Sequence, residues 1–192
     1  MKITDRTKRK AAAQRLKRVK AYYKAYGRGD SIYNRNLVRY VILGKYQLGD
    51  EFYFIIQDTH GELLLQKLVY NGSVDIVNVS KTGRQYAKNK DTFDSWFEQA
   101  EAYINKQIRF YYNRMTYGTR FKEENYILVL KKGYHSKFYF VLRDRYRKYL
   151  VAKLSWSWYT DVRINIISTK EFNENKSIFN SWITEAKLQE QR

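Results

Sequence analysis

The sequence predicts an α+β protein: two tandem copies of a four-stranded antiparallel β-meander plus helix unit, preceded by a basic N-terminal helix. Three observations carry that prediction. Residues 37–104 recur at 123–190 with a constant offset of 86 and no gap. Within each copy, four short runs rich in β-branched and aromatic residues are separated by turn residues. Each copy then closes on an apolar pattern of helical period. Phe52-Tyr53-Phe54 with Asp58 returns as Phe138-Tyr139-Phe140 with Asp144, and Phe93, Trp96 and Ala100 return as Phe179, Trp182 and Ala186. A repeat of this length is a small domain rather than a solenoid unit. The chain divides into a basic helical arm (1–36), a first repeat (37–104), a basic helical connector (105–122) and a second repeat (123–192).

Taken in order, Asp5–Tyr26 reads as a helix, with Ala12, Leu16, Val19, Tyr23 and Tyr26 along one face. Gly27 and Gly29 terminate it. The β runs of the first copy are expected at 38–45, 51–58, 62–70 and 73–80, and those of the second at 125–131, 137–144, 148–156 and 160–168. Asp58-Thr59-His60-Gly61 and Asn71-Gly72 supply turns. Alternation places Phe52, Phe54 and Ile56 on one face and Tyr53 and Ile55 on the other, so the central strand has apolar surface on both sides. Asp91 and Ser177 are the expected N-caps of the closing helices, because their side-chain oxygens can accept from first-turn amides. The first closing helix should run on through Ile108, Tyr111 and Tyr112 to Met115, with Gly118 as its stop. Tyr22-Tyr23 and Tyr111-Tyr112 are 89 apart, which implies a basic, tyrosine-bearing helix ahead of each unit.

The formal net charge is +18, and its placement says more than its size. Residues 1–36 hold 12 Lys or Arg against two Asp, while 37–104 hold seven against nine acids. The connector holds five basic residues and no acid, and 123–192 hold 13 against eight. Solubilising charge would be spread over both copies. Concentration outside the first copy points to a polyanion, and the expected partner is nucleic acid, DNA or RNA. The candidate contacts are Lys8, Arg9, Lys10, Arg15, Lys17, Arg18, Lys20 and Lys24 of the arm, and Lys106, Arg109, Arg114 and Arg120 of the connector. In the second copy Arg143, Arg145, Arg147 and Lys148 replace Gln57, Thr59, Gly61 and Glu62, and Trp156, Trp158 and Tyr159 replace Tyr70, Gly72 and Ser73. A guanidinium cluster beside exposed aromatics suits phosphate pairing and stacking.

Catalytic chemistry has little to stand on. There is no cysteine, and the two histidines, His60 and His135, fall in turns at positions that are not equivalent. No Walker loop, Rossmann pattern, nucleophile elbow or zinc spacing occurs, so no enzyme activity, cofactor or metal is expected. Asp58 and Asp144 are read as turn-makers. Lys137-Phe138-Tyr139-Phe140-Val141 is similar to the base-stacking strand of RNA-recognition-motif domains, but that fold interleaves helices between its strands, so this strand is read as core. No apolar stretch reaches the length of a membrane span, which predicts a soluble chain without a membrane partner.

In size, basic tail and lack of cysteine and catalytic groups, the chain resembles small phage or mobile-element proteins, including some anti-CRISPR inhibitors. The resemblance is one of general character and carries no residue over. It implies a cytoplasmic location in a bacterial host and a second possible partner, a nucleoprotein effector complex.

Overall fold

Phe52 to Gln57 is an unbroken buried run, and the first unit is assembled by covering it from two sides. The computed structural model describes residues 5–34, 36–121, 125–158 and 161–191. It shows an α+β chain whose residues cluster into two units, Met1–Tyr103 and Ile104–Arg192.

The first unit opens with α1 (Asp5–Ala25) and continues into β1 (Ser31–Tyr33), β2 (Arg39–Leu48), β3 (Glu51–Gln57), β4 (Leu63–Tyr70) and β5 (Val74–Asn78). All neighbours pair antiparallel in sequence order, so the meander has five strands and not four. The extra strand, β1, is three residues long and buries only Ile32, too little periodicity to register in sequence. Helix α2 (Arg84–Lys88) and helix α3 (Lys90–Arg114) follow. The second unit repeats the plan with β6 (Arg120–Phe121), β7 (Tyr126–Tyr134), β8 (Lys137–Arg143), β9 (Tyr149–Ser157), β10 (Asp161–Ile166), α4 (Thr169–Glu174) and α5 (Lys176–Gln189).

On one face of the first sheet, Phe52, Phe54 and Ile56 meet Val19, Tyr22, Tyr23 and Tyr26 of α1 and its following turn. Tyr23 lies 4.9 Å from Phe52 and stacks on Phe54 at 5.7 Å. On the other face, Tyr53 lies 5.4 Å from both Phe93 and Trp96 of α3. In the second unit, Tyr112 takes the place of Tyr23, at 4.9 Å from Phe138 and 5.8 Å from Phe140. Tyr139 sits 5.7 Å from Phe179 and 5.5 Å from Trp182. Lys45 reaches over the Tyr23 ring to the Tyr26 carbonyl, and Lys131 reaches over the Tyr112 ring to the Met115 carbonyl. Each lysine thus satisfies an acceptor just past its helix's C-terminal end. The 89-residue offset is therefore structural as well as sequential. Gly29 and Gly118, both at positive φ, donate to the equivalent carbonyls of Ile42 and Leu128 at 2.8 Å.

Several expectations need correction. Helix α1 ends at Ala25, and Ala12 and Leu16 of its expected docking face are exposed; Val19 is the first buried residue. Asp91 and Ser177 lie inside their helices. Asn89 and Asn175 precede the first turns, accept from Phe93 and Phe179, and donate their side-chain amides back to the carbonyls of Gln85 and Glu171. The caps moved because each closing helix is preceded by a short helix, α2 or α4, that sequence periodicity did not show.

The gapless repeat also conceals a slip. Val69 pairs with Asp75, whereas Ser155, its counterpart, pairs with Arg163 and not with Asp161. The β9–β10 hairpin is two residues longer than β4–β5, and the chain recovers the two residues before α4. Asp75 and Asp161 match in sequence but not in place.

Two pairs of differences compensate each other. A Cβ on Gly44 would fall 2.5 Å from the Tyr46 ring, which stacks on Trp96 at 4.6 Å. The second unit has Leu130 and Lys132 there, and Lys132 pairs with Glu185 of α5. Likewise, Glu51 of β3 accepts from Lys67, Tyr53 and Gln85. In the second unit the acid comes from the helix side instead, with Glu171 accepting from Tyr139 at 3.4 Å and pairing with Lys153 at 3.5 Å.

Burial alone would raise the Glu51 pKa, but the hydrogen bonds from Lys67 and Tyr53 outweigh it and hold the carboxyl below its ordinary value of 4.5. A depressed folded pKa stabilises above the unfolded value, and that contribution is lost as pH falls through the folded one. The melting-temperature gap between the parent protein and Glu51→Gln is therefore expected to be widest at neutral pH and to close below the carboxylate range. Thermal melts from neutral to acid pH test this, and a gap independent of pH would contradict it.

Candidate nucleic-acid interface

The cations predicted from sequence fall into three groups. In the first, α1 carries nine Lys or Arg and the single acid Asp5. Lys8, Arg9, Lys10, Arg15, Lys17, Arg18, Lys20 and Lys24 are all exposed. The described side chains from Asp5 to Arg18 are exposed all round the helix, because only its last two turns dock on the sheet. Among the described residues, Arg18 alone of these is committed within the fold: its guanidinium donates to the Tyr70 hydroxyl at 2.6 Å and lies over that ring.

The second group lies on the part of α3 that belongs to the second unit. Lys106, Arg109 and Arg114 are exposed, with Arg109 over Phe138 and Arg114 over Phe110. Phe110 is 62% exposed, so that pair offers an aromatic face with a cation beside it.

The third group is where the sheet assembles residues that are distant in sequence. Arg120 pairs with Ile127, Ile127 with Arg143, and Arg143 with Tyr149, so these four stand in one row across β6, β7, β8 and β9. Directly opposed residues share a face, and two strand spacings put the Arg120 and Arg143 backbones about 10 Å apart. The corresponding row of the first unit is Ser31, Val41, Gln57 and Leu63, all neutral. The β8–β9 turn adds Arg145 and Arg147. Together these four arginines, with Phe121, Asn125, Tyr126, Ile127 and Asp144, line a cleft of about 600 Å³. Lys148 is exposed but outside that lining.

The turn itself is held as the sequence implied. The Asp144 carboxylate accepts from the amides of Tyr146 and Lys148 at 2.8 Å, as Asp58 does from His60 and Glu62. Gly61 has φ +90 in the first turn, and Arg147 takes the equivalent place at φ +63. A left-handed conformation costs a side-chain-bearing residue about 1–2 kcal/mol. The second unit tolerates that strain and gains a guanidinium at the mouth of the cleft. Arg145 lies over the exposed Tyr146 ring at 4.6 Å.

Arg143 is less available than its neighbours. Its Nε sits 3.3 Å from Glu190 Oε1, too poorly aligned for a hydrogen bond but close enough to offset the charge. Glu190 also accepts from the Tyr149 hydroxyl; burial, and then that carboxylate, push the Tyr149 pKa up.

The tryptophans do not join this cluster. Trp156 is buried, with its ring edge-on to the partly exposed Trp158. Trp156 lies near the far end of β9 and Trp158 just past it, at least about 23 Å along the chain from the arginine turn. The expectation of guanidiniums beside exposed tryptophans is thus overturned by strand direction: residues at opposite ends of one strand cannot share a turn. Trp156 instead lines a second cleft with Phe110, Tyr111, Arg114 and Met115. Tyr159 lies outside the described residues. Tyr53 and Tyr139 are buried, which removes them as stacking platforms.

Sequence reading missed Phe121, Asn125 and Tyr126. The change of offset from 86 to 89 upstream of β7 was the available signal, since it aligns Ser31-Ile32 with Arg120-Phe121. Both histidines are exposed, and among the described residues no three His, Cys, Asp or Glu side chains are grouped to hold a metal ion. Among the described residues, no helix is long and apolar enough to cross a membrane. No protein-family model, curated protein or solved structure matches the chain.

Arg147→Gly is expected to raise the unfolding free energy by about 1 kcal/mol, because glycine adopts this φ without strain. Urea unfolding measures it. A lower stability would mean that Arg147 is a packing residue and not a strained surface group.

Proposed function

We propose that this protein is a non-enzymatic nucleic-acid-binding protein that engages phosphate backbones through its basic arm, its basic connector and the arginine turn of the second unit. The observation that carries this reading is the exposed length of α1. A helix whose described side chains from Asp5 to Arg18 are exposed, with cations on every side and one acid, is not using that charge to pack its own sheet. Repulsion along such a face disfavours the helix unless an anion relieves it. Phosphate contacts would position the chain on nucleic acid without reading sequence.

A second reading, a phage or mobile-element protein that inhibits a nucleoprotein machine, is favoured by the cleft around Phe110 and Trp156. Its aromatic lining beside Arg114 has the composition of a protein-docking centre. The two readings share the cationic arm and differ in what remains once nucleic acid is removed.

If six to ten phosphates are neutralised, affinity should fall by about three to five decades between 50 and 200 mM salt. Deleting residues 2–17, which spares the docked Arg18 and Val19, should weaken binding to all sequences and flatten that slope. Gel shifts over single- and double-stranded DNA and RNA at both salt concentrations measure both effects; a flat salt response would sink the nucleic-acid reading. In a pull-down, a specific protein complex that survives nuclease would move the conclusion to the inhibitor.

A further inference from the structure

The arginine cleft of the second unit differs in kind from the open cationic face of α1. It is concave, of about 600 Å³, and it draws its cations from β6, the end of β8 and the β8–β9 turn. That volume lies in the range of sites for small ligands the size of a nucleotide. Among the described residues its charge is net positive. Its lining holds four guanidiniums, Arg120, Arg143, Arg145 and Arg147, and one carboxylate, Asp144, while Glu190 outside the lining pairs with Arg143. Two positive charges are left over among the described residues.

An internal phosphodiester carries one negative charge and continues as chain in both directions, which suits a long exposed helix face. A phosphomonoester at pH 7 carries about −1.5 to −2 and has three oxygens free to accept. Guanidinium forks match those oxygens bidentately, and the Phe121 and Tyr126 rings, partly buried at the same cleft, offer apolar surface to an adjoining base. The first unit has the same fold and none of this. Ser31, Gln57, Thr59 and Gly61 stand where the four arginines stand, and the glycine takes without strain the φ that Arg147 is forced into.

We propose that the cleft lined by Arg120, Arg143, Arg145 and Arg147 binds a phosphomonoester, namely the phosphorylated end of a nucleic-acid strand. This rests on the nucleic-acid reading above and adds the part of the ligand that the second unit recognises. The arm holds the backbone, and the cleft takes the terminus.

The test uses the full chain and single-stranded oligonucleotides of one sequence that carry a 5′-phosphate, a 3′-phosphate or hydroxyls at both ends, with a mononucleotide as a separate probe. One phosphorylated end should bind at least roughly tenfold more tightly than the hydroxyl-ended strand, as a gain of a charge-assisted contact requires. Arg120→Ser and Arg147→Gly, which restore the first unit's residues, should erase that preference, lowering affinity for the phosphorylated strand by a larger factor than affinity for the hydroxyl-ended strand. Thermal melts check folding, and Arg147→Gly should melt no lower than the parent. Equal affinity for all three strands overturns the cleft proposal and leaves backbone binding intact. Preference that survives both substitutions overturns it as well. If no strand binds but the mononucleotide does, and the variants lose it, the ligand is a free phosphomonoester and both the strand-end proposal and the nucleic-acid reading fail.

Discussion

Each unit depends on the same requirement: a central strand written Phe-Tyr-Phe with apolar residues on both faces has to be covered twice. In the first unit α1 covers Phe52 and Phe54 while α3 covers Tyr53. In the second, Tyr112 covers Phe138 and Phe140 while α5 covers Tyr139. The tilted and stacked geometries of the equivalent aromatic pairs recur between units to within a few tenths of an ångström. Once that contact is fixed, so are the parts of each helix left uncovered. The basic half of α1 is exposed because the docking aromatics occupy only its C-terminal end.

The differences between the units sort by whether they are compensated. Gly44 with Tyr46 becomes Leu130 with Lys132, and Glu51 with Gln85 becomes Lys137 with Glu171; in each case a partner changes too and a partly buried arrangement is retained. The lysine and tyrosine at the centre of the polar network are unchanged, and the carboxylate has moved from strand to helix. Substitutions of this kind maintain a scaffold. The arginine row and turn are of the other kind. Three neutral residues and a glycine give way to four guanidiniums; Glu190 offsets one of them, and Arg147 adds backbone strain. Arg147 holds a φ that costs a side-chain-bearing residue about 1–2 kcal/mol, a strain that Gly61 of the first unit does not carry.

Sequence by itself determined the repeat, the α+β class, the two faces of β3 and β8, the turn-making role of Asp58 and Asp144, and the run of α3 to the edge of Met115. All of these are local patterns, set by periodicity or by a side chain's reach to amides a few residues away. Short elements escaped because three to six residues carry too little periodicity, as β1, α2 and α4 show. The compensating two-residue slip around β10 escaped because equal insertion and deletion leave the offset intact. Only the tertiary structure decided what gathers with what. Strand pairing put Arg120 in one row with Arg143, and strand direction put Trp156 and Trp158 at the opposite end from the arginine turn. The sheet's register acts between residues far apart in the chain, and no pattern within a strand records it.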